Sequence, residues 1–198
     1  MNEVRIARIC WNTNGWKFPS GENGKSKDPN TYECEYGFGH EEWLFDFSKI
    51  INGYHYAFLQ EINNALKAYR KKTMDIVLYT KENGKKPVLI GMIKNVYCIE
   101  KKESDEIYNK YVRLGWHKTM IDQVKEIKGD ERELDPSTFS DAVNGQLFNI
   151  CFKPEDVFFF KDKKIQDNAS TPAWFKTIKC FRYVLLTTKY EKQIRKTF

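Results

Sequence analysis

The sequence predicts an α+β domain built on a curved or barrel-like mixed, largely antiparallel sheet with two flanking helices. Three observations lead there. Strand-like segments outnumber helical ones, the helical signal is confined to two stretches, and strands and helices do not alternate in the β-α-β order of a doubly wound parallel sheet. The chain has 198 residues, 41% hydrophobic and 30% charged, which is the balance of one globular domain with a core of its own. Aromatic residues reach 15%, a bias that favours strands and flat stacking surfaces.

The elements follow in order. Val4–Trp11 alternates and reads as a first strand. Residues 12–30 hold Asn14-Gly15, Pro19-Ser20-Gly21, Asn23-Gly24 and Asp28-Pro29-Asn30, the dipeptides of a long exposed loop. Loops of that length in a compact domain are often functional. Tyr36–Phe47 is aromatic and punctuated by Gly37 and Gly39, and its end reads as a short strand or a helical turn. Tyr54–Glu61 reads as a strand passing into a helix that ends near Lys72. Asp75–Tyr79 and Val88–Ile99 are the clearest strands, joined by the hairpin loop 82–87. Residues 104–128 carry an apolar stripe of helical spacing, with Ser104 as the expected N-cap, Gly115 as a break and Gly129 as a stop. Leu147–Phe152, Val157–Phe160 and Phe181–Thr187 are the remaining strands. The expected organisation is a single domain over residues 1–188 and a basic tail or linker over 189–198.

Composition and motifs exclude several classes. The N-terminus has no signal-peptide core, and no apolar run is long enough to span a bilayer, so a cytoplasmic protein is expected. Five widely spaced cysteines with no CxxC pair argue against a zinc ribbon or a disulfide framework. No P-loop, Rossmann fingerprint, HExxH or GxSxG motif occurs, so no cofactor, metal or catalytic residue is expected and any catalytic domain is expected elsewhere. The net charge of +6 is unevenly spread. Residues 129–157 hold two basic against seven acidic residues, and residues 158–198 hold ten against three. A gathered basic excess is one footprint of a polyanion partner.

The most informative segments combine rings with polar groups. Trp11, Asn12, Asn14 and Trp16 surround a turn, and Phe38, His40 and Trp43 follow in the glycine-punctuated stretch. Rings stack on bases, and short polar side chains read base edges. These seven residues are the candidate base-binding set, with Trp16 and Trp43 as walls and Asn12, Asn14 and His40 as edge readers. Lys17, Lys25, Lys94, Lys176, Lys179 and Arg182 are the candidate phosphate contacts. His40, Glu41 and Glu42 form the one local acid–base cluster and support an alternative, a metal-dependent nuclease.

Asp75-Ile-Val-Leu-Tyr79, a loop, and Ile90-Gly91-Met92-Ile93-Lys94-Asn95-Val96 resemble the central hairpin of PUA-like domains, a group that includes the EVE, ASCH and YTH families. The match covers about one fifth of the chain. It implies a partly open β-barrel with flanking helices that reads modified or flipped bases, as in specificity domains of McrB-type or HNH-type modification-dependent restriction systems. A B3-like pseudobarrel is the alternative architecture. The expected function is a DNA-binding specificity module reading a modified or flipped base, including methylated DNA. An RNA-binding module of similar build is the further alternative. The expected partners are DNA and a fused or separate nuclease or NTPase subunit.

Overall fold

The computed structural model describes residues 2–139, 146–160, 172, 175 and 188–198. Seven strands form one mixed sheet: β1 (Glu3–Arg8), β2 (Ile50–Ile51), β3 (Tyr54–Ala57), β4 (Thr73–Lys81), β5 (Pro87–Cys98), β6 (Ile150–Phe152) and β7 (Val157–Phe159). Their order is β1-β4-β5-β6-β3-β2, with β7 paired to β5. Only β1 and β4 run parallel; the other pairs are antiparallel. Among the described residues the sheet is not closed into a barrel, so the α+β class holds and closure is not seen there. Among the described residues there are six α-helices rather than two: α1 (Tyr32–Glu35), α2 (Gln60–Asn64), α3 (Leu66–Tyr69), α4 (Lys101–Arg113), α5 (Trp116–Glu126) and α6 (Thr188–Thr197).

The centre of the sheet follows from its sequence. β4 reads Met-Asp-Ile-Val-Leu-Tyr-Thr and is buried from Met74 to Thr80. Ile76 and Leu78 enter one apolar cluster with Ile9, Leu59 and Ile93. Val77 and Tyr79 enter another with Val4, Ile6, Phe175 and Ile194. A strand covered on both faces needs a continuous apolar run, and this one has it. Gly91 in β5 is required by close approach: a Cβ there would sit 2.4 Å from the Phe158 carbonyl oxygen of β7.

The long helical stretch divides at Gly115, whose φ of +75° ends α4 and starts α5. The helix begins before Ser104: its N-cap is Glu100, and the Ser104 hydroxyl accepts the Phe148 N–H instead. A stretch of Lys-Lys-Glu before Ser104 propagates a helix as readily as Ser caps one, so the boundary moves by a turn. The stretch around Trp43 is a 3-10 helix, His40–Trp43. The expected strand 181–187 lies outside the described residues. α6 packs on the sheet: Ile194 is fully buried, and Arg195 reaches Asp75 at 3.0 Å.

One polar side chain sets where α2 starts. Asn149 is buried, accepts the Leu59 N–H at 2.9 Å and donates to the Leu59 carbonyl at 2.9 Å. It closes the backbone of the residue before α2 as a paired strand would. Asn149→Leu leaves the Leu59 N–H buried and unpaired, at about 1–3 kcal/mol, while the Leu59 carbonyl keeps the Asn63 N–H at 3.0 Å. We expect a denaturant midpoint shift corresponding to about 1–3 kcal/mol, with the native fold retained.

Candidate nucleobase pocket

The site is built around the loop 12–30 and the 3-10 helix that faces it. Asn12 is buried and shapes the first turn: its Oδ1 accepts the N–H groups of Asn14 (2.6 Å) and Trp16 (2.9 Å). Its Nδ2 donates to Glu42 (2.7 Å) and to the Phe18 carbonyl (2.9 Å). Asn14 closes the same loop through the Pro19 carbonyl. Trp16 is buried, donates its indole N–H to the Cys10 carbonyl at 3.0 Å, and meets Phe45 edge to face. Trp43 is buried and donates to Gln123 at 2.8 Å. Phe38 is fully buried. Trp11 lies over Gly24, where a Cβ would be 2.4 Å from its Nε1.

The three residues of the acid–base cluster diverge. Consecutive residues of a 3-10 helix are about 120° apart, so they enter three different surroundings. His40 stacks on Phe139 with ring centroids 3.9 Å apart. Its Nε2 meets the Tyr32 hydroxyl at 3.0 Å. That hydroxyl donates to Glu133, so Nε2 carries the proton and donates. Burial pushes the His40 pKa down to about 3, which keeps the ring neutral. Glu42 is fully buried against Lys25, and also accepts the N–H groups of Gly39 and Ser20. Glu41 enters a cavity. Among the described residues, no three His, Cys, Asp or Glu side chains are grouped to hold a metal ion.

That cavity has a volume of about 390 Å³ and opens to solvent. This is within the range of small-molecule sites. Tyr32, His40, Phe58, Tyr79 and Phe139 supply its aromatic lining, and Glu41 and Glu61 are two of its carboxyls. Arg8, Lys81 and Glu33 complete its charged lining. Gly39 makes room for it: a Cβ would stand 2.7 Å from Cys10 Sγ and 3.1 Å from Glu41 Oε2. Glu41 accepts the Gln60 N–H at 3.3 Å, and Glu61 accepts the Arg8 N–H at 2.6 Å. Glu61 Oε2 is buried with no hydrogen-bond partner among the described residues. Burial raises the Glu41 carboxyl to about 7. Burial, reinforced by the nearby Glu41, raises Glu61 to about 8. The Cys10 thiol is pushed up by burial and by Glu42 and Glu41, so it is not a thiolate nucleophile.

Of the seven base-binding candidates, His40 alone lines this cavity; the others form the frame beside it. Of the phosphate candidates, Lys17 is exposed, Lys25 is buried in its ion pair, and Lys94 sits 4.2 Å over the Phe158 ring. Lys176, Lys179 and Arg182 lie outside the described residues. The sequence reading passed over Arg8, Tyr32, Phe58, Glu61, Lys81 and Phe139. The signal it had was a lone acid, Glu61, inside the apolar run Phe58-Leu-Gln-Glu-Ile. Comparison with known protein families, with curated proteins and with solved structures finds no match. Among the described residues, no helix is long and apolar enough to cross a membrane.

Two outcomes follow from this geometry. Lys25→Met strands a buried carboxylate and should cost about 3–5 kcal/mol in chemical denaturation. The second concerns pH. Glu61 holds its proton more tightly folded than unfolded, so its contribution to stability falls as pH rises from about 4.5 to about 8. Glu61→Gln removes that loss. Relative to the wild type, the variant should gain on the order of 4 kcal/mol between pH 5 and pH 8.5, read from denaturation midpoints.

Proposed function

We propose that this chain is a DNA-reading specificity module, and that the cavity beside the 3-10 helix receives a base extruded from the duplex. The observation that carries the reading is the cavity itself: a space of about 390 Å³ that pairs aromatic lining with the carboxyls of Glu41 and Glu61. A pocket for a flipped base needs flat apolar walls and a few polar groups on the base edge. Arg8 and Lys81 line the same cavity and are exposed, where a phosphate on either side of the base would pass. Lys86, also exposed on the β4–β5 hairpin, extends that charge.

On this reading the loop 12–30 and its tryptophans build the frame of the pocket rather than its walls. The architecture we propose is PUA-like, with the β4–β5 hairpin as its centre, serving a modification-dependent restriction system whose nuclease or NTPase lies elsewhere. The divergence of His40, Glu41 and Glu42 favours reading over metal-dependent cleavage.

Fluorescence polarisation against short duplexes tests this. The panel holds unmodified, 5-methylcytosine, 5-hydroxymethylcytosine and N6-methyladenine DNA, and matched RNA. We expect one DNA form to bind best and Phe139→Ala to weaken it about 5- to 100-fold. Arg8→Ala and Lys81→Ala should each lower the salt slope by about one. Absence of binding at low salt overturns the reading, and preference for the RNA moves it to the RNA-binding alternative.

A further inference from the structure

The lining of the cavity contains a side chain whose hydrogen-bonding role is set from outside it. His40 opens the 3-10 helix His40–Trp43, Tyr32 lies in α1, and Glu133 lies in a second 3-10 turn, Glu131–Leu134. The Tyr32 hydroxyl donates to Glu133 at 2.8 Å. Its one proton is engaged there, so at 3.0 Å from His40 Nε2 it accepts. Nε2 therefore carries the imidazole N–H, and Nδ1 keeps a lone pair. Burial pushes the His40 pKa down to about 3, so the ring takes no second proton near neutral pH. Nδ1 is thus fixed as an acceptor.

The packing makes that acceptor the part of His40 that a ligand meets. Phe139 stacks on the ring with centroids 3.9 Å apart, and Phe38 and Phe58 lie tilted against it at 5.3 Å. With three rings around it, what the imidazole offers a ligand is its edge. Nε2 is engaged there by Tyr32. Nδ1 has no hydrogen-bond partner among the described residues and, unlike Glu61 Oε2, it is not sealed from solvent-sized space. A closed space of about 20 Å³ also touches His40 and has room for one water at most, so a base reaches the ring only from the open cavity.

Resting on the base-pocket reading above, we propose that His40 anchors the extruded base, its Nδ1 accepting an N–H from the base edge. Tyr32 and Glu133 make the contact directional: they fix which ring nitrogen carries the proton, so the base brings the donor. The amino groups of cytosine and adenine and the ring N–H groups of guanine and thymine all supply one. His40 therefore orients these bases and does not separate them. It selects against a ring whose edge holds acceptors alone, because two lone pairs then face each other away from water. Tyr32 acts through His40 and is the positioning residue.

The test uses the full chain and short duplexes carrying one target nucleotide opposite an abasic site, which makes extrusion cheap. The targets are two pairs of matched shape: cytosine with 2-pyrimidinone, and adenine with unsubstituted purine. The second member of each pair lacks the amino group and has no N–H on its edge. We expect each donor-bearing base to bind about 10-fold tighter than its counterpart. His40→Phe should bring each pair within about twofold. Tyr32→Phe, which frees the imidazole to hold its proton on Nδ1, should narrow the preference in the same direction. Thermal denaturation checks that each variant is folded. A ¹⁵N spectrum of the wild-type ring needs no variant: Nδ1 should be unprotonated in the free chain, and its resonance should move when the cytosine duplex binds. Equal binding within each pair, with Phe139→Ala still weakening all four targets, overturns this inference and leaves the base-pocket reading standing. So does a free chain with its proton on Nδ1, or an Nδ1 resonance unmoved by a bound duplex. Binding insensitive to Phe139→Ala overturns both.

Discussion

A single buried carboxylate organises the functional end of this protein. Glu42 has no solvent contact, and its two oxygens take hydrogen bonds from Lys25, Gly39, Asn12 and Ser20. Those donors come from the long loop and from the residue before the 3-10 helix. A charge in that position is tolerable only when paired and fully hydrogen-bonded, which ties all these segments to one geometry. The loop 12–30 is thereby a packed structure and not a free arm. Once Glu42 is fixed, the 3-10 repeat dictates the rest: Glu41 falls into the cavity and His40 into the ring stack with Phe139.

The sheet supplies the other side of the pocket. β1 runs parallel to β4, which brings Arg8 opposite Tyr79 and next to the start of α2. The Asn149 clamp holds that start in place. The Oε2 oxygen of half-buried Glu61 is consequently covered by elements that lie far from it in sequence. Burial raises its pKa and leaves one oxygen unpaired, so the site stores an unsatisfied polar group.

Much of the frame was legible in the sequence. The continuous apolar run of β4, the hairpin after it and the break at Gly115 all follow from local rules, and the structure has each of them. The helix start near Ser104 and the expectation of only two helices did not hold, because short helices such as α2 and α3 depend on tertiary packing rather than on periodicity. The site was less legible. Turn dipeptides around Trp16 look the same whether the loop is exposed or folded inward, and only the side-chain bonds of Asn12 decide it. The lining of the cavity comes from residues 8, 32, 41, 61, 81 and 139, which share no spacing that one-dimensional reading detects.

The central claim is that a nucleic-acid base occupies this cavity. Its most direct test is a ¹H–¹⁵N correlation spectrum of the labelled chain, titrated with a short duplex carrying an extrudable cytosine. The account predicts that the largest shift changes cluster at Tyr32, at Gly39 to Glu41 and at Gln60 and Glu61, with smaller ones at Arg8 and Lys81. Changes confined to other faces of the sheet, or a spectrum unmoved by the duplex, would contradict it.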